Sequence, residues 1–333
     1  YKLFVKTSSG AFVESQGLPY NRPRIKMTYY QNGTIVCIVH YGTNGQASLS
    51  DGVYISKDNG LNFTKLNDQL SFWDNQILIG FNSDNTNVYV SSQYNGFKKV
   101  PISSNNVGVD FNNGVNNIIP HHILKLDADN TGKLFALCGN FGGYYPHTSP
   151  AYGLFVSTDG GVNWTKDKNL FDAYQSQYAF SVSNSNTVYA VGYEPGKLSK
   201  SSNSGLDWSY LTAQHTPYSI RNVFSDKTNS NRVVINSYPA DPPSGNNYHG
   251  TFLSTDGGNS FGSLSGGYAI PIDSELANDV LFYDTNTIFI ALPSKLLKST
   301  NNGGTWQTIS TNSFNKITAI PENNELYACK NSA

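Results

Sequence analysis

An eight-residue pattern recurs along this protein and constrains its fold more than any other feature: Ser, any residue, Asp or Asn, any residue, Gly, two more, then an aromatic. It reads Ser56-Lys-Asp-Asn-Gly-Leu-Asn-Phe63, Ser104-Asn-Asn-Val-Gly-Val-Asp-Phe111, Ser157-Thr-Asp-Gly-Gly-Val-Asn-Trp164 and Ser201-Ser-Asn-Ser-Gly-Leu-Asp-Trp208. Two further copies are Ser254-Thr-Asp-Gly-Gly-Asn-Ser-Phe261 and Ser299-Thr-Asn-Asn-Gly-Gly-Thr-Trp306. The closing aromatics lie 44 to 53 residues apart, the spacing of folds that stack one supersecondary unit per repeat. One period before Phe63, Lys6-Thr-Ser-Ser-Gly-Ala-Phe-Val13 reads as a worn copy, and seven periods fill the 333 residues. Residues 1–333 are therefore expected to form one domain.

Apolar alternation between Asn, Asp and Gly turns supplies the rest of each unit. Second strands are expected at 34–41, 87–93, 133–140, 187–193, 232–238, 287–293 and 325–331, and first strands at, for example, 77–82, 179–184 and 279–284. Third strands at 52–56, 153–157 and 250–254 run into the box. Four short strands per repeat of this length predict an all-β, seven-bladed β-propeller of four-stranded antiparallel blades. The C-terminus (about 313–333) offers only a first and second strand, and the N-terminus (1–15) only a third and fourth. Together they are expected to close the ring as a composite seventh blade.

The box residues Asp58, Asn106, Asp159, Asn203, Asp256 and Asn301 are read as structural. Their side-chain oxygens can accept hydrogen bonds from backbone N–H groups of their own turn, and three of the six boxes dispense with the acid altogether. The pattern resembles the Asp-box, or BNR, repeat of sialidases, xyloglucan-degrading hydrolases, sortilin-type receptors and some photosynthetic assembly factors. That resemblance spans the whole sequence and implies a propeller; it does not choose among the activities that propellers host.

Charge narrows the partners. Net charge is −1 from 22 basic and 23 acidic side chains, which argues against a nucleic-acid surface. No apolar run reaches the length of a membrane-spanning helix, and no basic-then-apolar leader opens the sequence. Three cysteines, Cys37, Cys138 and Cys329, lie in strand-like apolar runs and are expected as buried thiols rather than a disulfide framework. The sequons at Asn32, Asn62 and Asn163 are compatible with secretion.

Topology puts the boxes and the 1–2 hairpins on one face, and the longer 2–3 and 4–1 connections on the other. Ligands favour such loop-built mouths. All six histidines map to that mouth, as do Arg22, Arg24 and Arg221; Arg232 maps to the opposite end. The mouth loops differ widely in length, which favours one asymmetric site over seven equal ones.

Candidate catalytic residues are Asp51, Arg24, Arg221, Tyr248 and His249. Pro23-Arg24-Ile25 resembles the arginine-bearing segment of sialidases, in which the guanidinium grips a substrate carboxylate bidentately. Asp51 ends the first 2–3 loop, where sialidases and xyloglucan hydrolases carry a catalytic Asp, and Asp74, Asp241, Asp273 and Glu275 are the other mouth acids. Tyr248-His249, Tyr145 with His147, and His215 with Tyr218 and Arg221 carry the residue types that elimination from uronic-acid polymers uses. Candidate substrate-binding residues are Trp73, Asp74, His121, Tyr144, Tyr145, His147, Tyr193, His215 and Tyr218, whose rings suit stacking on sugars.

No histidine pair has metal-ligand spacing, and Asp127-Ala-Asp129-Asn-Thr-Gly132, which mimics the opening of a calcium loop, is read as a hairpin turn. No cofactor or metal is expected. The protein is thus expected to be a secreted (extracellular or periplasmic) monomer that processes an oligo- or polysaccharide at its mouth, as a glycoside hydrolase before a polysaccharide lyase. A glycan-binding, lectin-like propeller and a protein-binding scaffold are the alternatives.

Overall fold

The computed structural model describes residues 3–6, 12–19, 24–29, 34–40, 52–66, 78–81, 87–92, 96–102, 109–110, 123–128, 133–138, 153–166, 179–184, 186–191, 198–211, 220–237, 250–265, 268–270, 272–320 and 325–329. Among them every regular element is a β-strand, and every strand pairing is antiparallel.

An N-terminal hairpin joins β1 (Phe4–Lys6) to β2 (Phe12–Glu14). Four-stranded meanders follow. The first comprises β3 (Arg24–Tyr29), β4 (Ile35–His40), β5 (Gly52–Ser56) and β6 (Thr64–Lys65). The second comprises β7 (Leu78–Phe81), β8 (Asn87–Ser92), β9 (Gly96–Pro101) and β10 (Val109–Asp110). The third runs through β11 (Ile123–Ala128), β12 (Leu134–Cys138), β13 (Gly153–Ser157) and β14 (Thr165–Lys166). The fourth has β15 (Ala179–Val182), β16 (Val188–Val191), β17 (Leu198–Ser201) and β18 (Ser209–Tyr210).

The fifth unit departs from the expected four strands. Only β19 (Ile220–Ser225), β20 (Val233–Ser237) and β21 (Gly250–Ser254) share its sheet, while β22 (Ser263–Ser265) turns back on β23 (Tyr268–Ile270) as a separate hairpin. The open edge of β21 is covered by the segment that follows. Thr251 N–H donates to the Asp273 carbonyl at 2.9 Å, and Ile272 N–H donates to the Thr251 carbonyl at 2.7 Å. A bare edge would leave those groups unpaired, so the long connection does the work of a fourth strand. The sixth sheet again has four strands, β24 (Asp279–Phe282), β25 (Ile288–Ala291), β26 (Leu296–Ser299) and β27 (Gln307–Ser310); β28 (Lys316–Ile320) and β29 (Glu325–Cys329) form the C-terminal hairpin.

The inner strands are apolar on both faces because each sheet is packed on both sides. Every residue of β5, β16, β20 and β25 is buried, whereas β14 and β18 are exposed throughout. Strands covered on both faces read as continuous hydrophobic runs. The core clusters straddle consecutive sheets. Phe135, Leu137 and Leu154 of the third sheet pack with Phe180, Val182 and Val188 of the fourth. Val234 and Leu253 of the fifth meet Ile288, Ile290 and Leu297 of the sixth. First strands lie side by side in sequence order: β3 against β7, β7 against β11, β11 against β15, β15 against β19, and β24 against β28. In addition β28 lies against β3, and β1 against β29. Cys37 is buried in β4 and is not part of a disulfide.

Candidate functional site

The box turns fix which end of each sheet is which. In five sheets the box serine ends the third strand and pairs with the start of the second: Ile35 with Ser56, Leu134 with Ser157, Val188 with Ser201, Val233 with Ser254, and Ile288 with Ser299. The 1–2 hairpins share that end, so the 2–3 and 4–1 connections are at the other.

Each described box is held by one repeated set of bonds. The serine hydroxyl donates to Oδ1 of the third residue, at 2.6 to 3.0 Å from Ser56 to Asp58, Ser157 to Asp159, Ser201 to Asn203, Ser254 to Asp256 and Ser299 to Asn301. The same hydroxyl accepts the N–H of the fifth-position glycine at 2.8 to 2.9 Å. Oδ1 in turn accepts the N–H of the seventh residue at 2.8 to 2.9 Å. The fourth and fifth residues both have positive φ, 60° and 83° at Asn59-Gly60 and 54° and 85° at Asn302-Gly303. Two consecutive positive φ values favour Asn-Gly and Gly-Gly; one box places Ser204 before Gly205 there, at 65° and 86°.

A second bond joins the side chains of positions three and seven, and its polarity alternates. Where position three is Asp, position seven donates: Asn62 Nδ2 to Asp58 at 2.7 Å, Asn163 Nδ2 to Asp159 at 2.8 Å and Ser260 Oγ to Asp256 at 2.5 Å. Where position three is Asn, it donates instead, Asn203 Nδ2 to Asp207 at 2.7 Å and Asn301 Nδ2 to Thr305 at 3.0 Å. The sequons at Asn62 and Asn163 thus coincide with a position the box uses for its own donor.

All three acids are held below the usual carboxylate range. At Asp58 and Asp256 desolvation pushes the other way, but donation from Asn62 and Ser56, and from Ser260 and Ser254, outweighs it. At Asp159 the backbone N–H of Asn163 is the leading cause. The oxygens of these carboxylates are engaged within their own turns.

Two ionic arrangements were not foreseen from sequence. Arg232, 1% exposed, is clamped at the box end. It donates from Nε to Asp226 Oδ2 at 2.6 Å, from NH1 to the Thr285 carbonyl at 3.0 Å and from NH2 to the Asp284 carbonyl at 2.7 Å. One guanidinium thereby ties the fifth sheet to the sixth. Asp127 lies in strand β11 rather than in a turn: its carboxylate accepts Val182 N–H at 3.2 Å and the Lys227 ammonium at 2.5 Å.

At the mouth end, Arg221 is exposed and is the extra residue of a β-bulge. The ladder pairs Ile220 with Ser237 and Asn222 with Asn236, so its register passes over Arg221. Bulges re-aim side chains and are enriched beside active sites. Arg24 opens β3 directly opposite His40. The mouth acids Asp273 and Glu275 are bound into a local lattice. Lys295 lies 2.7 Å from Asp273 and 3.9 Å from Glu275, and Glu275 also accepts the Ser294 N–H at 2.9 Å and its hydroxyl. The Lys295 ammonium is held above its usual range, first by its bond to Asp273. The loop beneath is pinned by buried polar groups, with Ala277 N–H donating to Asn236 Oδ1 at 2.9 Å and to Thr251 Oγ1 at 2.8 Å. A carboxylate pair compensated in this way holds a connection in place and is poorly suited to proton transfer.

Asp51, Trp73, Asp74, Asn106, His121, Tyr144, Tyr145, His147, Tyr193, His215, Tyr218, Tyr248 and His249 lie outside the described residues. Among the described residues, no group of three or more His, Cys, Asp or Glu side chains is arranged to hold a metal ion.

No family model matches the sequence, and no curated protein matches it. Among solved structures it is similar to YCF48 bound to D1 peptide, with a TM-score of 0.57 at 13% identity, covering 95% of this protein and 99% of that one. It is also similar to YCF48 from Cyanidioschyzon merolae, with a TM-score of 0.58 at 11% identity over 92% and 94% of the two proteins. The GH74 xyloglucanase from Xanthomonas campestris matches with a TM-score of 0.54 at 13% identity, over 90% of this protein but 46% of its own length. At such identities the likeness is one of fold alone. The all-β sheets and these neighbours define a β-propeller.

Proposed function

We propose that this is a seven-bladed Asp-box propeller, closed by a composite blade from its two termini, that acts on carbohydrate at its mouth. The closure is supported by β28 lying against β3 and β1 against β29. The observation that carries the functional reading is Arg221, exposed on a bulge at the mouth end of a first strand. With Arg24 opening another first strand, it supplies guanidinium groups suited to the carboxylates of uronic or sialic sugars. In this reading Asp51, Tyr248 and His249 move protons, and Trp73, Asp74, His121, Tyr144, Tyr145, His147, Tyr193, His215 and Tyr218 line the sugar path. The protein works outside the cell or in the periplasm, as a monomer.

A second reading, a propeller that binds a peptide or protein, draws on a different observation. The YCF48 structure with D1 peptide is matched nearly end to end, while the xyloglucanase is matched over less than half its length. The engagement of Asp273 and Glu275 with Lys295 also reduces the described carboxyls available for hydrolysis.

A screen on neutral, uronic and sialylated glycans separates the readings, following reducing-end release and unsaturated-product absorbance together. Turnover abolished by Asp51→Asn marks hydrolysis, and turnover abolished by His249→Ala marks elimination. Binding without turnover marks a lectin. Neither binding nor turnover overturns the carbohydrate reading in favour of the peptide-binding one.

A further inference from the structure

The box turn has a chemical liability built into its geometry. Consecutive positive φ values at positions four and five favour Asn or Gly followed by Gly, and two described boxes use Asn-Gly, at Asn59-Gly60 and Asn302-Gly303. Asn-Gly is the dipeptide most prone to succinimide formation, because glycine has no Cβ substituent to hinder attack by its own nitrogen. In that reaction the glycine N–H loses its proton and the nitrogen attacks Cγ of the preceding asparagine. The new N–Cγ bond forms as the asparagine Cγ–Nδ2 bond breaks and ammonia leaves. Water then opens the ring to aspartate or isoaspartate.

In both boxes that nitrogen is already committed. Gly60 N–H donates to Ser56 Oγ at 2.8 Å in a buried bond, and Gly303 N–H donates to Ser299 Oγ at 2.9 Å. The serine hydroxyl is itself oriented by donating to Asp58 or Asn301. A hydrogen bond at the N–H opposes its deprotonation and fixes the direction in which the nitrogen points. We propose that the box serine guards the turn chemically as well as clasping it, so that Asn59 and Asn302 are deamidation sites held silent while Ser56 and Ser299 hold the glycine nitrogen. The damage would matter: isoaspartate adds a backbone methylene to a turn whose serine, third-residue and glycine bonds depend on its exact spacing, and the box could not re-form.

The test is peptide mapping by mass spectrometry of the folded protein during incubation in mildly alkaline buffer, scoring amide-to-acid conversion at each site. In the folded wild-type protein both asparagines are expected to convert at least about tenfold more slowly than in the urea-unfolded protein, a factor equivalent to about 1.4 kcal/mol of local opening. Ser56→Ala should accelerate Asn59 and leave Asn302 protected, and Ser299→Ala should do the reverse. Each variant is thus the folding control for the other. The proposal is overturned if wild-type sites convert at the unfolded rate, if the alanine variants leave the rates unchanged, or if either variant exposes both sites equally, which would make protection a property of global stability.

Discussion

The alternating polarity of the bond between box positions three and seven makes a sharp forecast for Asn203 and Asp207. Asn203 donates from Nδ2 to Asp207 at 2.7 Å. Asn203→Asp replaces that donor with a second carboxylate at the same separation. One hydrogen bond is lost, a net of about 0.5–1.5 kcal/mol. Like-charge repulsion adds about 1 kcal/mol at close range in water and more at lower effective dielectric. Asp207 is exposed, so the low end of the repulsion applies and the sum is about 1.5–2.5 kcal/mol. With unfolding entropy near 2.1 cal/mol/K per residue, a protein of this size loses roughly 2–4 °C in Tm. Adding Asp207→Asn rebuilds the arrangement seen at Asp58 with Asn62 and at Asp159 with Asn163, and should restore most of the loss. Differential scanning calorimetry of the two single variants and the double variant, read as a double-mutant cycle, gives the coupling directly. Additive effects, or a neutral Asn203→Asp, would refute the pairing rule.

Three further outcomes follow from other contacts. Asp226→Ala leaves the buried Arg232 guanidinium without its counter-charge and should cost about 3–5 kcal/mol, measured as a shift in denaturant midpoint at constant slope. Gly17→Ala meets a backbone obstacle, since a Cβ there would be 1.9 Å from the Phe63 carbonyl oxygen at a φ of +81°; a well-expressed variant with unchanged Tm would contradict that geometry. Asp58, Asp159 and Asp256 have folded pKa values below the ordinary 3.8, so the unfolded protein takes up protons first as pH falls. Their stabilisation is complete above about pH 5 and is lost as pH drops through 3.8 toward the folded values; a Tm that stays level or rises across that interval would oppose the assignment.

Much of the strand framework is legible in the sequence for a local reason. The third strands at 52–56, 153–157 and 250–254 match β5, β13 and β21 residue for residue, because a short, mostly apolar run leads into a box whose turn chemistry fixes where the strand stops. The missing fourth strand of the fifth unit follows from what comes after Phe261: Gly262-Ser-Leu-Ser-Gly-Gly267 lacks β-branched residues, and β22 pairs with β23 rather than with β21. The clamp on Arg232 is hidden in the sequence because, beyond Asp226 six residues before it, its partners are two backbone carbonyls more than 50 residues away. The bulge at Arg221 is likewise a matter of register between strands, which composition does not encode. The rule linking positions three and seven is written in the residues, but becomes readable only once the bonds name the partner. Of the candidate site, the two arginines fall on described strands; the remaining residues lie outside the described residues, in stretches of sequence where no periodic pattern fixes geometry.

The most direct test of the central claim is calorimetric titration of wild-type protein, Arg221→Ala and Asp207→Asn with polygalacturonate and sialylated oligosaccharides. The mouth assignment predicts that Arg221→Ala weakens binding by at least about tenfold, the loss of one charge-assisted contact of about 1.5–3 kcal/mol, while the box-face variant binds as wild type. Equal affinity of all three proteins, or a loss confined to Asp207→Asn, would contradict it.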